Sequence, residues 1–319
     1  MEYAKLGNSG IEVSKLCLGC MSFGVAGTMH DWTLDQAGTN EIVGHALELG
    51  FNFFDTANQY SNGTSEEFLG KAIKARTTRD KVVIATKVYF NEGGLSRAAI
   101  LREIDGSLKR LGTDYVDLYI IHRFDRETPI EETMEALDSL VKAGKVRALG
   151  ASAMYGYQFY NMQLAADKGG WTRFVSMQNH YNLLYREDER ELIPICDQMN
   201  VARTPYSPLA AGRLCRPDWH TNTLRSQTDK VAVRKYDSTE ETDKEIARRV
   251  GELAARLGAT MTGVALAWQW KKGVVSPVIG ATKTRYLDDA VGAFDVELSD
   301  EDVAWLEEPY VPHKISGAR

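Results

Sequence analysis

The stretch FNFFDTANQYSNGTSEEFLGKAIKA, residues 51–75, decides how the fold is read. It holds one strand-to-helix unit: "FNFF" (51–54) is a short apolar run, Asp55 ends it, and "TSEEFLGKAIKA" (64–75) has helical periodicity with a Ser/Thr start and early glutamates. An acid directly after a buried run, with Tyr60 in the loop beyond it, raises a question of function. Whether the unit recurs settles the architecture.

It does recur. Strand-like runs follow one another at "KLCLG" (15–19), "FNFF" (51–54), "KVVIAT" (81–86), "DYVDLYII" (114–121), "VRALGAS" (146–152), "FVSMQ" (174–178), "VARTPYS" (201–207) and "VVSPVI" (274–279). Helix-period segments lie between them, such as "SRAAILREIDGSLKRLG" with a serine cap and closing glycine, and "TPIEETMEALDSLVKAGK" with proline in its first turn. Eight such units predict a closed (β/α)8 TIM barrel rather than an open doubly wound sheet. "YAKLGNSGIEVSKL" predicts an N-terminal β-hairpin that plugs one end of the barrel. The seventh strand is the least regular, and a long loop without clear periodicity follows it from Pro208 to about Glu240. Residues 1–319 are read as a single domain, with no room for a second.

Composition excludes several classes. The chain is 44% hydrophobic and 26% charged with a net charge of −6, ordinary values for a globular protein. No Lys/Arg-rich block offers a stripe for nucleic acid, and no apolar run is long enough to span a bilayer. The amino terminus "MEYAKLGNSG" lacks a signal-peptide pattern, so a cytoplasmic protein is expected. Cys17 and Cys20 form a C-x-x-C, but at a strand end and without a metal-spaced partner pair; core thiols and no metal are expected.

Active sites of such barrels lie at the carboxyl ends of the strands. Asp55, Lys87, His122, Ser152 and Gln178 each stand where the chain leaves a buried strand. Singly, each has a plainer account as a turn acid, a surface lysine or a satisfied core histidine. Together, Asp55, Tyr60, Lys87 and His122 converge on one rim from three adjacent strands, and their chemistry fits. Tyrosine, with a pKa of about 10, is a weak acid until its phenolate is stabilised. A lysine about 4 Å away contributes about 4 kcal/mol at an effective dielectric of about 20, so Lys87 is expected to lower the Tyr60 pKa by about two to three units. Asp55 would keep Lys87 protonated, and His122 would orient a substrate oxygen.

"FFDTANQY", "VVIATKV", "DYVDLYIIHR", "ALGAS", "VSMQNHYNLLYR", "YSPLAAGRL" and "SPVIGATK" in this order resemble the aldo-keto reductase superfamily, in particular its bacterial and potassium-channel β-subunit-like branch. The resemblance implies a catalytic tetrad of Asp55, Tyr60, Lys87 and His122, with Tyr60 as proton donor, and NADP(H) bound across the barrel mouth without a Rossmann motif. It implies that Ser152 and Gln178 contact the nicotinamide amide and that Tyr206 stacks on the ring. Ser207, Pro208, Leu209 and Gly212 would cover the pyrophosphate, and Gly19 and Met21 would lie near the ribose. Thr282 and Lys283 would hold the adenosine phosphate, with Asp289 facing the adenine. A lysine at 283 favours NADP over NAD. The chain departs from the family pattern at Ala153, Ala290 and His180, where Asn, Asn and an acid are frequent.

Trp32, Tyr89, Phe90, Phe124 and Trp219 are expected near the mouth as an aromatic substrate pocket. The partner expected is therefore a small-molecule carbonyl compound, an aldehyde or ketone, with homo-oligomerisation left open. Two other readings keep the barrel: a Schiff-base lyase using Lys87, and an NADPH-binding regulatory or redox-sensing subunit with slow turnover.

Overall fold

A computed structural model describes residues 1–219 and 223–318. The chain opens with an antiparallel hairpin of β1 (Tyr3–Lys5) and β2 (Glu12–Ser14). Alternating elements follow: β3 (Cys17–Gly19), α1 (Gln36–Glu48), β4 (Phe53–Asp55), α2 (Thr64–Arg76), β5 (Val83–Val88), α3 (Arg97–Leu111), β6 (Val116–Ile121) and α4 (Ile130–Lys142). Next come β7 (Val146–Ser152), α5 (Gly156–Gly169), β8 (Phe174–Gln178), α6 (Leu192–Gln198) and β9 (Ala202–Arg203). A long connection carrying α7 (Leu224–Thr228) and α8 (Lys230–Tyr236) leads to α9 (Glu240–Leu257), α10 (Met261–Lys271), β10 (Val278–Gly280), α11 (Thr284–Val291) and α12 (Asp300–Glu307).

Among the described residues, β3 to β10 form one parallel eight-stranded sheet in the order β10-β3-β4-β5-β6-β7-β8-β9. Its edges meet where Tyr206 bridges Val278 and the Val278 amide donates to the Pro205 carbonyl at 2.9 Å, so the sheet curls into the expected (β/α)8 barrel. Side chains alternate along each strand. Cys17, Phe53, Val83, Ala85, Leu118, Ile120, Ala148 and Ala202 point inward, while Leu18, Phe54, Ile84, Tyr119, Ile121 and Leu149 pack outward against the helices. The hairpin closes the amino end as expected, because Leu6, Ile11 and Val13 belong to the inward cluster. Gly7 is required there: its φ is +54°, and a Cβ would lie 2.4 Å from the Val175 carbonyl oxygen.

Some sequence expectations need correction. The seventh strand is regular only over Ala202–Arg203, since Pro205 has no N–H to donate; pairing resumes through the Tyr206 amide, which reaches the Asn179 carbonyl at 2.9 Å. The eighth begins only at Val278, after Pro277. Thr64 is the first residue of α2 rather than its side-chain cap; its hydroxyl donates backward to the Ser61 carbonyl at 2.7 Å. Ser96 does cap α3, and Gly112 ends it in the left-handed conformation. The 208–240 connection is less irregular than its sequence, since Trp219 and Tyr236 join Leu214, Val250, Leu253 and Trp268 in a second buried cluster. All four cysteines are free, and the described residues contain no metal-ligating cluster and no helix long and apolar enough to cross a membrane.

Candidate active site

Strand alternation builds the site. Counting by twos from the inward residues Phe53, Ala85, Ile120 and Ala148 reaches Asp55, Lys87, His122 and, past Gly150, Ser152. These polar side chains form the layer above the apolar barrel interior, at the carboxyl end. Asp55 and Lys87 are buried, and Tyr60 and His122 are nearly so.

The Lys87 ammonium is the hub. Nζ donates to Asp55 Oδ1 at 2.5 Å, to the Thr56 carbonyl at 2.8 Å and to the Tyr60 hydroxyl at 3.2 Å. Gln178 Nε2 donates to the other Asp55 oxygen at 2.9 Å, and the Ser152 hydroxyl donates to the Gln178 carbonyl at 2.7 Å. The His122 ring stands edge-on to Tyr60 at 5.8 Å between centroids, with Nδ1 buried and unpartnered.

Burial sets the protonation states. Desolvation alone would lower Lys87, but the charge of Asp55 and then Tyr60 outweigh it and raise the pKa, so the ammonium is permanent at neutral pH. Desolvation, then the charges of Lys87 and Arg123, hold His122 well below the ordinary histidine value, so its imidazole is neutral. Tyr60 corrects the sequence arithmetic: burial raises its pKa, Lys87 lowers it, Asp55 raises it, and the net direction is up. The earlier sum counted the ammonium's field, but neither the dehydration of the phenolate nor the carboxylate that shares the ammonium.

The segments read as cofactor contacts fall around this rim. Tyr206 is half-buried, its hydroxyl lies beside the Arg123 side chain, and its ring lies parallel to His180 at 5.2 Å; His180 Nε2 meets the Tyr236 hydroxyl at 2.8 Å. His180, where an acid was expected, is thus a ring support. Ser207 takes φ +56° with its carbonyl held by Asn182 Nδ2 at 2.8 Å; Pro208 is buried, Leu209 half-buried, and Gly212 has φ +92°. Gly19 lies beside Asp55 in register, and a Cβ there would meet Val278 at 2.8 Å, so strand packing alone accounts for the glycine. Met21 and Thr282 are half-buried; Lys283 and Asp289 are exposed, while Ala290 is buried in the outer core. Lys283 immediately precedes α11.

The five aromatics separate. Tyr89 and Phe90 meet edge-on at 4.9 Å, Phe90 meets His122 at 5.1 Å, and half-buried Phe124 packs against the outer core. Tyr89 and Phe90 also line an open groove of about 740 Å³ with Asp125 and Thr128. Trp32 stacks on His30 at 4.5 Å under the Arg225 guanidinium, and Trp219 is buried in the second cluster rather than with Phe90 and His122.

Several contributors were invisible in sequence. Glu66, read only as one of the early glutamates of a helix start, is buried and accepts from Thr86, the neighbour of Lys87, at 2.5 Å and from Arg110 at 2.6 Å. The carboxyl-terminal segment crosses the mouth: the Ser316 amide donates to the Tyr185 hydroxyl at 2.8 Å, and a Cβ on Gly317 would lie 2.5 Å from the Tyr206 hydroxyl. Arg123, adjacent to His122, and Lys235, over Tyr206, were passed over; the dipeptide His122-Arg123 was the available signal. Among the described residues, all the non-glycine positions with left-handed φ except Asn200 lie in loops after strand ends: Ser61, Asn62, Ala153, Ser207, Ala210 and Ala211. Such strain, about 1–3 kcal/mol each, concentrates where loops are over-determined around a site.

The model of the Aldo/keto reductase family matches residues 15–310. The chain is 43% identical to the versiconal hemiacetal acetate reductase of Aspergillus parasiticus, over 99% of this chain and 98% of that protein. It is 43% identical to a putative aryl-alcohol dehydrogenase of Schizosaccharomyces pombe, covering 99% and 97%, and 39% identical to one of Saccharomyces cerevisiae, covering 98% of each. By the extent of the family match and of these identities, the chain belongs to the aldo/keto reductase family.

Proposed function

We propose that this single-domain protein is an NADPH-dependent reductase of aldehydes or ketones in which Asp55, Tyr60, Lys87 and His122 act as one unit. The observation that carries the reading is the buried Lys87 ammonium, which joins Asp55 to the Tyr60 hydroxyl beside a neutral imidazole. A bound reduced nicotinamide would supply the hydride. Tyr60, protonated at neutral pH because burial raises its pKa, gives its proton to the carbonyl oxygen as negative charge develops there. Lys87 stabilises the phenolate left behind, and Asp55 and the Thr56 carbonyl keep its ammonium aimed. His122 orients the carbonyl with its one ring N–H. Lys87 is fully charged and buried, which argues against a Schiff-base lyase, since that chemistry needs a free amine.

The residues fit such a cofactor. Tyr206 bridges both His180 and Val278 at the carboxyl rim that carries the tetrad, and Ser152 and Gln178 hold amide-compatible groups beside Asp55. Lys283 has no acidic partner among the described residues and begins a helix, a combination that suits a 2′-phosphate. Tyr89 and Phe90 beside His122 suit an aromatic carbonyl compound, as the names of the aryl-alcohol dehydrogenase relatives also suggest. The test is NADPH and NADH oxidation across aromatic aldehydes, ketones and keto sugars. Turnover with NADPH and aromatic aldehydes is expected; no carbonyl-dependent oxidation of either cofactor would overturn the reading.

A further inference from the structure

Two cations at the mouth lack an acidic partner. Arg123 follows His122 at the end of β6; its Nη1 donates to the His122 carbonyl at 3.0 Å, and its guanidinium lies 5.7 Å from the Phe90 ring centroid. Phe90 touches His122, and His122 touches Tyr60, so two rings separate the Arg123 guanidinium from the proposed proton donor. Lys235, on α8, brings its ammonium to 4.4 Å from the Tyr206 ring centroid. Both side chains are half-buried.

Elsewhere, several half-buried arginines are paired: Arg79 with Asp117, Arg110 with Glu66, Arg186 with Glu189 and Glu307, and Arg213 with Asp237. Among the described residues no carboxylate lies within ion-pair distance of Arg123 or Lys235. The two also act on each other. Burial, followed by the Arg123 charge and then Arg234, brings Lys235 down to about 7 against the opposing pull of Asp229. Two like charges in a partly dehydrated site are unfavourable, which shows here as the easier loss of the Lys235 proton, and an anion between them would favour the protonated form again. Perturbed, unpaired groups in a cleft mark sites that a ligand completes.

Resting on the reductase reading, we infer that Arg123 and Lys235 form an anion-recognition subsite, and that the preferred substrate is an aromatic aldehyde or ketone bearing a carboxylate. The carboxylate lies between the two cations while the carbonyl faces Tyr60 and His122. Arg123 reaches the site from the loop that carries His122 and rests on Phe90, in the expected substrate pocket. The cofactor pyrophosphate is instead expected at Ser207–Gly212. The two cations fix which carbonyl compounds are oriented; neither takes part in proton transfer.

The test compares 4-carboxybenzaldehyde with its neutral methyl ester in the full chain and in the variants Arg123→Met, Lys235→Met and Lys235→Arg. The wild type should prefer the acid. Each methionine variant should lose about 10- to 100-fold in kcat/KM for the acid and less than about threefold for the ester, as expected for removal of one charge-assisted contact. Lys235→Arg should retain most of the preference. Equal losses on both substrates, no loss on either, or a rise confined to the KM for NADPH would overturn the inference, the last by assigning the pair to the cofactor. Calorimetry with terephthalate, with and without NADP+, separates the two readings. A wild type that reduces neither aldehyde defeats the reductase reading, while terephthalate binding lost in Arg123→Met still supports the subsite and absent binding overturns it.

Discussion

Lys87→Met removes the hub of the site and has two separable effects. At 3.2 Å and an effective dielectric of about 20, the ammonium stabilises a Tyr60 phenolate by about 5 kcal/mol, close to four decades in rate if fully expressed. The field is shared with Asp55, whose charge opposes it at Tyr60, so a loss of about 10³-fold in kcat is the expected outcome. The second effect is on stability. The variant leaves the Asp55 carboxylate buried with Gln178 as its remaining side-chain partner, which costs about 3–5 kcal/mol. In a chain of this size that lowers Tm by about 5–8 °C. The double variant Asp55→Asn/Lys87→Met removes the orphaned charge and should recover most of the lost Tm while leaving kcat low. Stopped-flow reduction and thermal unfolding of the wild type and the two variants read both effects. If the double variant unfolds no later than Lys87→Met, or if Lys87→Met keeps near wild-type kcat, the electrostatic account of the hub is wrong.

Three further outcomes follow. Because burial raises the Tyr60 pKa, the proton donor keeps its proton through neutral pH, and kcat/KM for reduction of a neutral substrate should be flat from about pH 6 to 9 and fall only as pH passes the ordinary tyrosine value of about 10; a titrating limb near 7 to 8 for such a substrate would contradict the direction of the shift. Lys283→Ala should raise the KM for NADPH more than that for NADH, and equal rises would remove the 2′-phosphate contact from the account. Gly7→Ala should destabilise the hairpin plug by about 1–3 kcal/mol or more, read as a lower urea midpoint, because a Cβ at φ +54° meets the Val175 carbonyl.

The barrel was legible because its evidence is periodic. The strands announce themselves by apolar runs, five of which lead to Asp55, Lys87, His122, Ser152 or Gln178, and the two-residue period then puts Asp55, Lys87 and His122 on the inward face. What stayed hidden depends on three-dimensional context. The direction of the Tyr60 shift turns on dehydration, which no spacing encodes. Glu66 reads as a helix-start charge until its burial against Thr86 and Arg110 is known. Pro205 and Pro277 shorten two strands whose apolar content suggested longer ones, and β9 is completed by two isolated bridges through Tyr206, to His180 and to Val278. The carboxyl-terminal segment reaches the mouth from the far end of the chain, more than a hundred residues from Tyr206 and Tyr185, so nothing local marks it as part of the site.

The central claim is that Tyr60 supplies the proton under the control of Lys87. The variant Tyr60→Phe keeps the ring that packs against His122 and removes only the hydroxyl that Lys87 addresses. Titrated with NADPH by fluorescence and then mixed with an aromatic aldehyde, it should bind the cofactor within about twofold of wild type and lose about 10³-fold or more in turnover. Undiminished carbonyl reduction by Tyr60→Phe would contradict the account at its centre.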